Sequence, residues 1–98
     1  MSLPLNIREE ARAEFREAVD WHEQRWPGQG AELIAAVELV FDRILANPRR
    51  GRVMDDPIRR VLVPDFPYAV FYYPREDAIV VTCVFHTSRD PAVWQGRR

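Results

Sequence analysis

The residues best equipped for chemistry lie in one short run, His86-Thr87-Ser88-Arg89-Asp90-Pro91-Ala92-Val93-Trp94. An imidazole where a β-rich segment stops can give or take a proton, or can simply hydrogen-bond the backbone there. Arg89, and Arg60 farther upstream, carry planar forks that hold phosphate or carboxylate in bidentate fashion. Alternatively Arg89 makes a local ion pair with Asp90 or Asp65. Trp94 offers a face on which a nucleobase stacks, or a large apolar area that folds back as a lid over the sheet. Tyr68 and Tyr72 share one strand face while Tyr73 points to the other.

Other chemistries find no footing. The chain has no Gly-rich phosphate loop and no nucleophile elbow, and His22, His86 and the single Cys83 are not spaced as metal ligands. No cofactor or metal is expected. A lone cysteine in the most apolar strand favours a reducing, cytoplasmic setting. The opening Met1-Ser2-Leu3-Pro4-Leu5-Asn6 lacks a basic segment followed by an apolar one, so no signal peptide is read. No apolar run approaches a membrane span.

These residues need a scaffold. The 98 residues, 47% hydrophobic and 30% charged, suit a single domain over residues 1–98. Leu3, Leu5 and Ile7 suggest a short strand, and Pro4 places it at an edge. Glu9 and Glu10 open a helix whose apolar stripe is Ala11, Phe15, Ala18, Val19, His22 and Trp26. Trp21 and Trp26 are expected in core or hairpin packing. Pro27-Gly28 ends that helix, and a second runs from about Ala31 to Ala46, stopped by Asn47-Pro48. Residues 49–57 read as a polar loop. Ile58–Val63, Phe66–Tyr73 and Ala78–His86 are β-rich runs separated by turns.

The expected fold is therefore α+β, in the order β-α-α-β-β-β. An antiparallel helical hairpin packs on one face of a mostly antiparallel four-stranded sheet, leaving the other face available for a protein partner. Charge divides unevenly. Residues 1–47 carry five Arg against nine Asp/Glu, a balance of −4, and residues 48–98 nine Arg against six, a balance of +3. Every cation is Arg. The surplus suits an acidic or nucleic-acid-associated partner, or a surface of solvated ion pairs.

The element order, the Asn47-Pro48…Gly51-Arg52 loop and the Arg59-Arg60…Phe66-Pro67-Tyr68…Tyr72 hairpin resemble the RelE/ParE superfamily of bacterial type II toxins, the plasmid-stabilisation proteins. So does the ending His86-x-x-Arg89-Asp90-Pro91-x-x-Trp94-x-x-Arg97. The resemblance spans nearly the whole chain. It implies a toxin held inactive in a hetero-oligomer by a cognate antitoxin, whose flexible tail folds over it. Arg59, Arg60, Tyr72, Arg89, Trp94 and Arg97 become the partner- or target-binding candidates.

The superfamily holds two activities. RelE-like members are ribosome-dependent endoribonucleases that cut mRNA, and on that pattern Arg60, His86 and Arg89 would be catalytic. Yet Ala69 and Leu62 fall where those enzymes carry Arg and Lys, and Trp94 falls where they carry a Tyr. An indole cannot relay a proton as a phenol does. ParE-like members poison DNA gyrase by binding, and the His-x-x-Arg-Asp-Pro ending is similar to theirs. That branch is the first expectation, the ribonuclease the second, and a non-toxic co-repressor that only binds antitoxin the third.

Overall fold

A computed structural model describes residues 3–98; the absence of a signal peptide was read partly from Met1 and Ser2, which lie outside the described residues. Strand β1 (Leu5–Ile7) leads into helix α1 (Glu9–Arg25) and helix α2 (Gln29–Ala46). Strands β2 (Arg52–Asp55), β3 (Ile58–Leu62), β4 (Tyr68–Pro74) and β5 (Ile79–His86) follow, and a short helix α3 (Ala92–Gln95) comes last. The sheet order is β1-β5-β4-β3-β2, with β1 parallel to β5 and the other pairs antiparallel.

The hairpin forms where the sequence placed it. Glu9 and Glu10 occupy the first turn of α1. Gly28 adopts the left-handed region at φ 94°, which its missing Cβ permits, and turns the chain. The Glu23 carboxylate accepts from the N–H groups of Gly28 and Gly30 and satisfies donors that the start of α2 leaves free. Leu33, Val37, Val40, Phe41 and Ile44 turn the buried face of α2 toward the sheet.

Besides the short helix α3, which forms in the expected tail, two features depart from the expected architecture. The segment read as a loop supplies a fifth strand, β2, against β3. Composition gives β2 little strand character; it is held by ladder pairing to β3 across a register shift between Val53 and Asp55. Its charged side chains suit the sheet edge it forms. Second, the face away from the helical hairpin is not open at its centre. There Ile58, Ala69, Phe71, Cys83, Phe85 and Trp94 form a second apolar cluster. Trp94 folds back as a lid, stacked on Phe71 with ring centroids 4.8 Å apart. Strands β4 and β5 are thus buried on both faces. Thr82 falls at a register shift in β5, which lets Ile79, Val81 and Val84 all face the helices.

Candidate functional site

The C-terminal half of α1, the ends of β4 and β5 and the turn after β5 enclose a cleft of about 630 Å³. Its walls include Glu14, Trp21, His22, Trp26, Tyr68, His86 and Arg89. The strand register puts Tyr68 opposite His86, so both project on the helix side of the sheet. Helical spacing sends Glu14, Ala18, Trp21 and His22 toward the same space.

Glu14 is the electrostatic centre. Its Oε2 accepts from Arg89 Nη1 at 2.9 Å, and its Oε1 accepts from Arg97 Nη1 at 2.8 Å and from the Val84 N–H at 3.2 Å. Strand β1 pairs β5 only as far as Val81, so the next stretch of that edge lacks a strand partner. Side chains close it instead, because Arg97 also donates to the Thr82 carbonyl and the Cys83 sulfur. Burial opposes charge on Arg97, but the hydrogen bonds and charges of Glu14 and Cys83 outweigh it and raise the guanidinium's pKa. Burial likewise pushes the Cys83 thiol up, with Arg97 partly offsetting it.

The two histidines have fixed proton positions in their neutral forms. His86 Nδ1 accepts from the Ser88 N–H at 3.1 Å, which leaves the ring proton on Nε2. His22 is buried and donates from Nδ1 to the Gln29 side-chain carbonyl, so the Tyr68 hydroxyl donates to His22 Nε2 at 3.3 Å. Burial raises the Tyr68 pKa and keeps that hydroxyl protonated. Rings of His22, Phe66, Tyr68 and His86 meet edge to face along this wall.

The expected site residues separate into three places. His86 and Arg89 share the cleft, and Arg97 joins them through Glu14. Trp94 lies under the opposite sheet face at 6% exposure. Arg59, Arg60 and Tyr72 lie toward the β2 edge. Tyr72 is fully buried, donating to the Pro48 carbonyl and accepting from the Gly51 N–H. Arg59 donates to the carbonyls of Arg49 and Gly51. Arg60 pairs with Phe71 and therefore projects from the face opposite His86.

Other residues emerged only in three dimensions. Arg89 takes Glu14 as its partner rather than Asp90 or Asp65. Trp21 and Trp26, expected in packing, are 45% and 50% exposed at the cleft rim, with the Arg25 guanidinium 3.9 Å above the Trp21 ring. The Trp-Pro-Gly sequence at the end of α1 was the available signal, since a side chain at a helix terminus has fewer neighbours to cover it. Among the described residues no three His, Cys, Asp or Glu side chains gather as a metal site requires, and no helix is long and apolar enough to cross a membrane.

The cleft and its aromatic rim thus offer apolar area and fixed hydrogen-bond groups to an incoming segment. The family model described as "ParE toxin of type II toxin-antitoxin system, parDE" matches residues 5–91. No curated protein matches the chain. A solved structure described as "Chromosomal ParDE TA system from P. aeruginosa" is similar at 14% identity and a TM-score of 0.66, over 89% of this chain and 98% of that one. At that identity the likeness shows a shared fold.

Proposed function

Because the chain belongs to the ParE toxin family of type II toxin–antitoxin systems, we propose that it inhibits DNA gyrase by binding and is held inactive by a cognate antitoxin. Glu14 carries the choice of binding over cleavage. A ribonuclease that balances charge around an attacked phosphate needs cationic groups free to meet it. Here one carboxylate takes both Arg89 and Arg97, and Arg60 projects from the other face of the sheet. The three residues of the ribonuclease reading do not share a site.

The antitoxin reading draws on the surface of the hairpin. Trp21, Trp26, Ile34 and Leu39 are exposed apolar side chains on α1 and α2 or at the α1 terminus. A second groove of about 490 Å³ runs beside Phe15, Val19, Ile34 and Phe41, so apolar recesses flank α1 on both sides. A disordered tail that folds on binding gains enough apolar contact from such a surface to offset its ordering entropy. The complex is a cytoplasmic hetero-oligomer.

The test is a supercoiling and DNA-cleavage assay with gyrase, plasmid and antitoxin-free protein. Loss of supercoiling that added antitoxin restores is the expected result. Active gyrase together with cut ribosome-bound mRNA would overturn this reading in favour of an endoribonuclease. Inertness in both assays, with antitoxin still bound, would leave a co-repressor.

A further inference from the structure

Arg52 on β2 stands directly opposite Arg60 on β3, and Arg60 opposite Phe71, so both guanidiniums leave the sheet on the face away from α1 and α2. Like charges directly opposite on antiparallel strands oppose folding. The ion pairs among the described residues involve neither arginine. Exposed Arg49 and Arg50 precede β2 in a turn that Tyr72 and Arg59 pin to the sheet. Residues 49–60 hold five Arg and two Asp. Of the two acids, Asp55 already lies 3.8 Å from Arg98. The result is a cationic edge, anchored by Arg59, on which Arg49, Arg50, Arg52 and Arg60 have no carboxylate partner among the described residues.

We propose that Arg49, Arg50, Arg52 and Arg60 bind the phosphate backbone of duplex DNA without reading its sequence. Guanidinium forks match phosphate oxygens, and duplex DNA presents one charge per about 1.7 Å of axis, against at most one per about 3.3 Å for an extended acidic peptide. Single strands depend on stacking platforms. The aromatics nearest this edge are committed, Phe71 beneath Trp94, Tyr72 in the core and the partly buried Tyr73 packed against the second apolar cluster. Among the residues interleaved with the arginines, Gly51 has no side chain and Val53 and Met54 have no group suited to reading a base edge or a 2′-hydroxyl; Asp55 is taken by Arg98, and Asp56 follows it into the turn before β3. The acidic half of the chain, residues 1–47, is repelled by DNA and so turns this edge toward it. The inference stands whichever target the toxin poisons.

Fluorescence anisotropy of the full chain with a short labelled DNA duplex of mixed sequence, across a range of salt, tests it. The expected Kd is about 10⁻⁶–10⁻⁴ M near physiological salt, and four phosphate contacts give a slope of log K on log salt of about −3 to −4. Arg52→Gln with Arg60→Gln should reduce that slope in magnitude by about 2 and weaken low-salt binding at least about tenfold. Arg43→Gln on α2 should change neither. Arg52→Glu turns the like-charge pair into an attractive one, so it should raise the Tm while weakening DNA binding, which separates lost contact from lost fold. An unchanged slope in the double variant would overturn the proposal. So would equal or tighter binding of polyglutamate, single-stranded DNA or an RNA duplex under matched conditions.

Discussion

At the scale of single residues, Glu14 does more than any other side chain to define the surface. In the sequence it is one of several charges on the outer face of α1, and nothing local distinguishes it. Its significance comes from Arg89 and Arg97, 75 and 83 residues downstream. Pattern reading offers Arg89 the adjacent Asp90 or Asp65 in the turn between β3 and β4, because the packing of α1 against the end of β5 is not visible in the sequence. Glu14→Gln keeps the shape and removes the charge, leaving Arg97 partly buried without a carboxylate. A destabilisation of about 1–3 kcal/mol is expected, read as a lower urea midpoint. An unchanged midpoint would mean that the Val84 N–H and Arg97 find water or the Gln carbonyl equally good.

At the scale of elements, the two long helices and four of the five strands were legible because hydrophobic periodicity and Pro/Gly punctuation are local signals. Trp94 as a lid was legible too, from its area and its place after the last strand. Strand β2 was not, since its identity comes from the ladder it forms with β3 and from a turn tied down by a distant phenol. That turn can be tested. A Cβ on Gly51 would come within 2.7 Å of the Tyr72 hydroxyl and 3.0 Å of the Arg59 Cβ. Gly51→Ala should therefore displace Tyr72 and weaken its two hydrogen bonds, at a cost of about 1–3 kcal/mol. Gel-shift or anisotropy experiments on this variant should also show weaker DNA binding, because the turn carries Arg49 and Arg50.

At the scale of the whole molecule, three buried acids share one sign. Burial raises the pKa of Cys83 above its ordinary 9.0 and those of Tyr68 and Tyr72 above 10.0. For Tyr72 the Gly51 hydrogen bond and the Arg59 and Arg50 charges offset part of the rise. A folded-state pKa above the unfolded one means that the folded chain holds its proton longer. The stability these groups contribute is complete below the ordinary values and is lost as pH rises through the folded ones. Urea midpoints should therefore fall above about pH 9, and in Cys83→Ala the decline should begin nearer pH 10. A flat alkaline limb would show that the folded state opens to solvent around these groups.

The sheet order carries one further consequence, for the timing of assembly. The first strand has no partner until β5 has been made, since Leu5, Asn6 and Ile7 pair with Ile79, Val80 and Val81. A nascent chain can form the helical hairpin early, but the apolar undersides of its helices stay bare until nearly the whole sheet exists. Contacts this distant in sequence make folding slow compared with a helical bundle of the same size. During that interval the growing polypeptide is open to capture by other chains, so supplying a binding partner during translation should raise the yield of soluble protein more than supplying it afterwards.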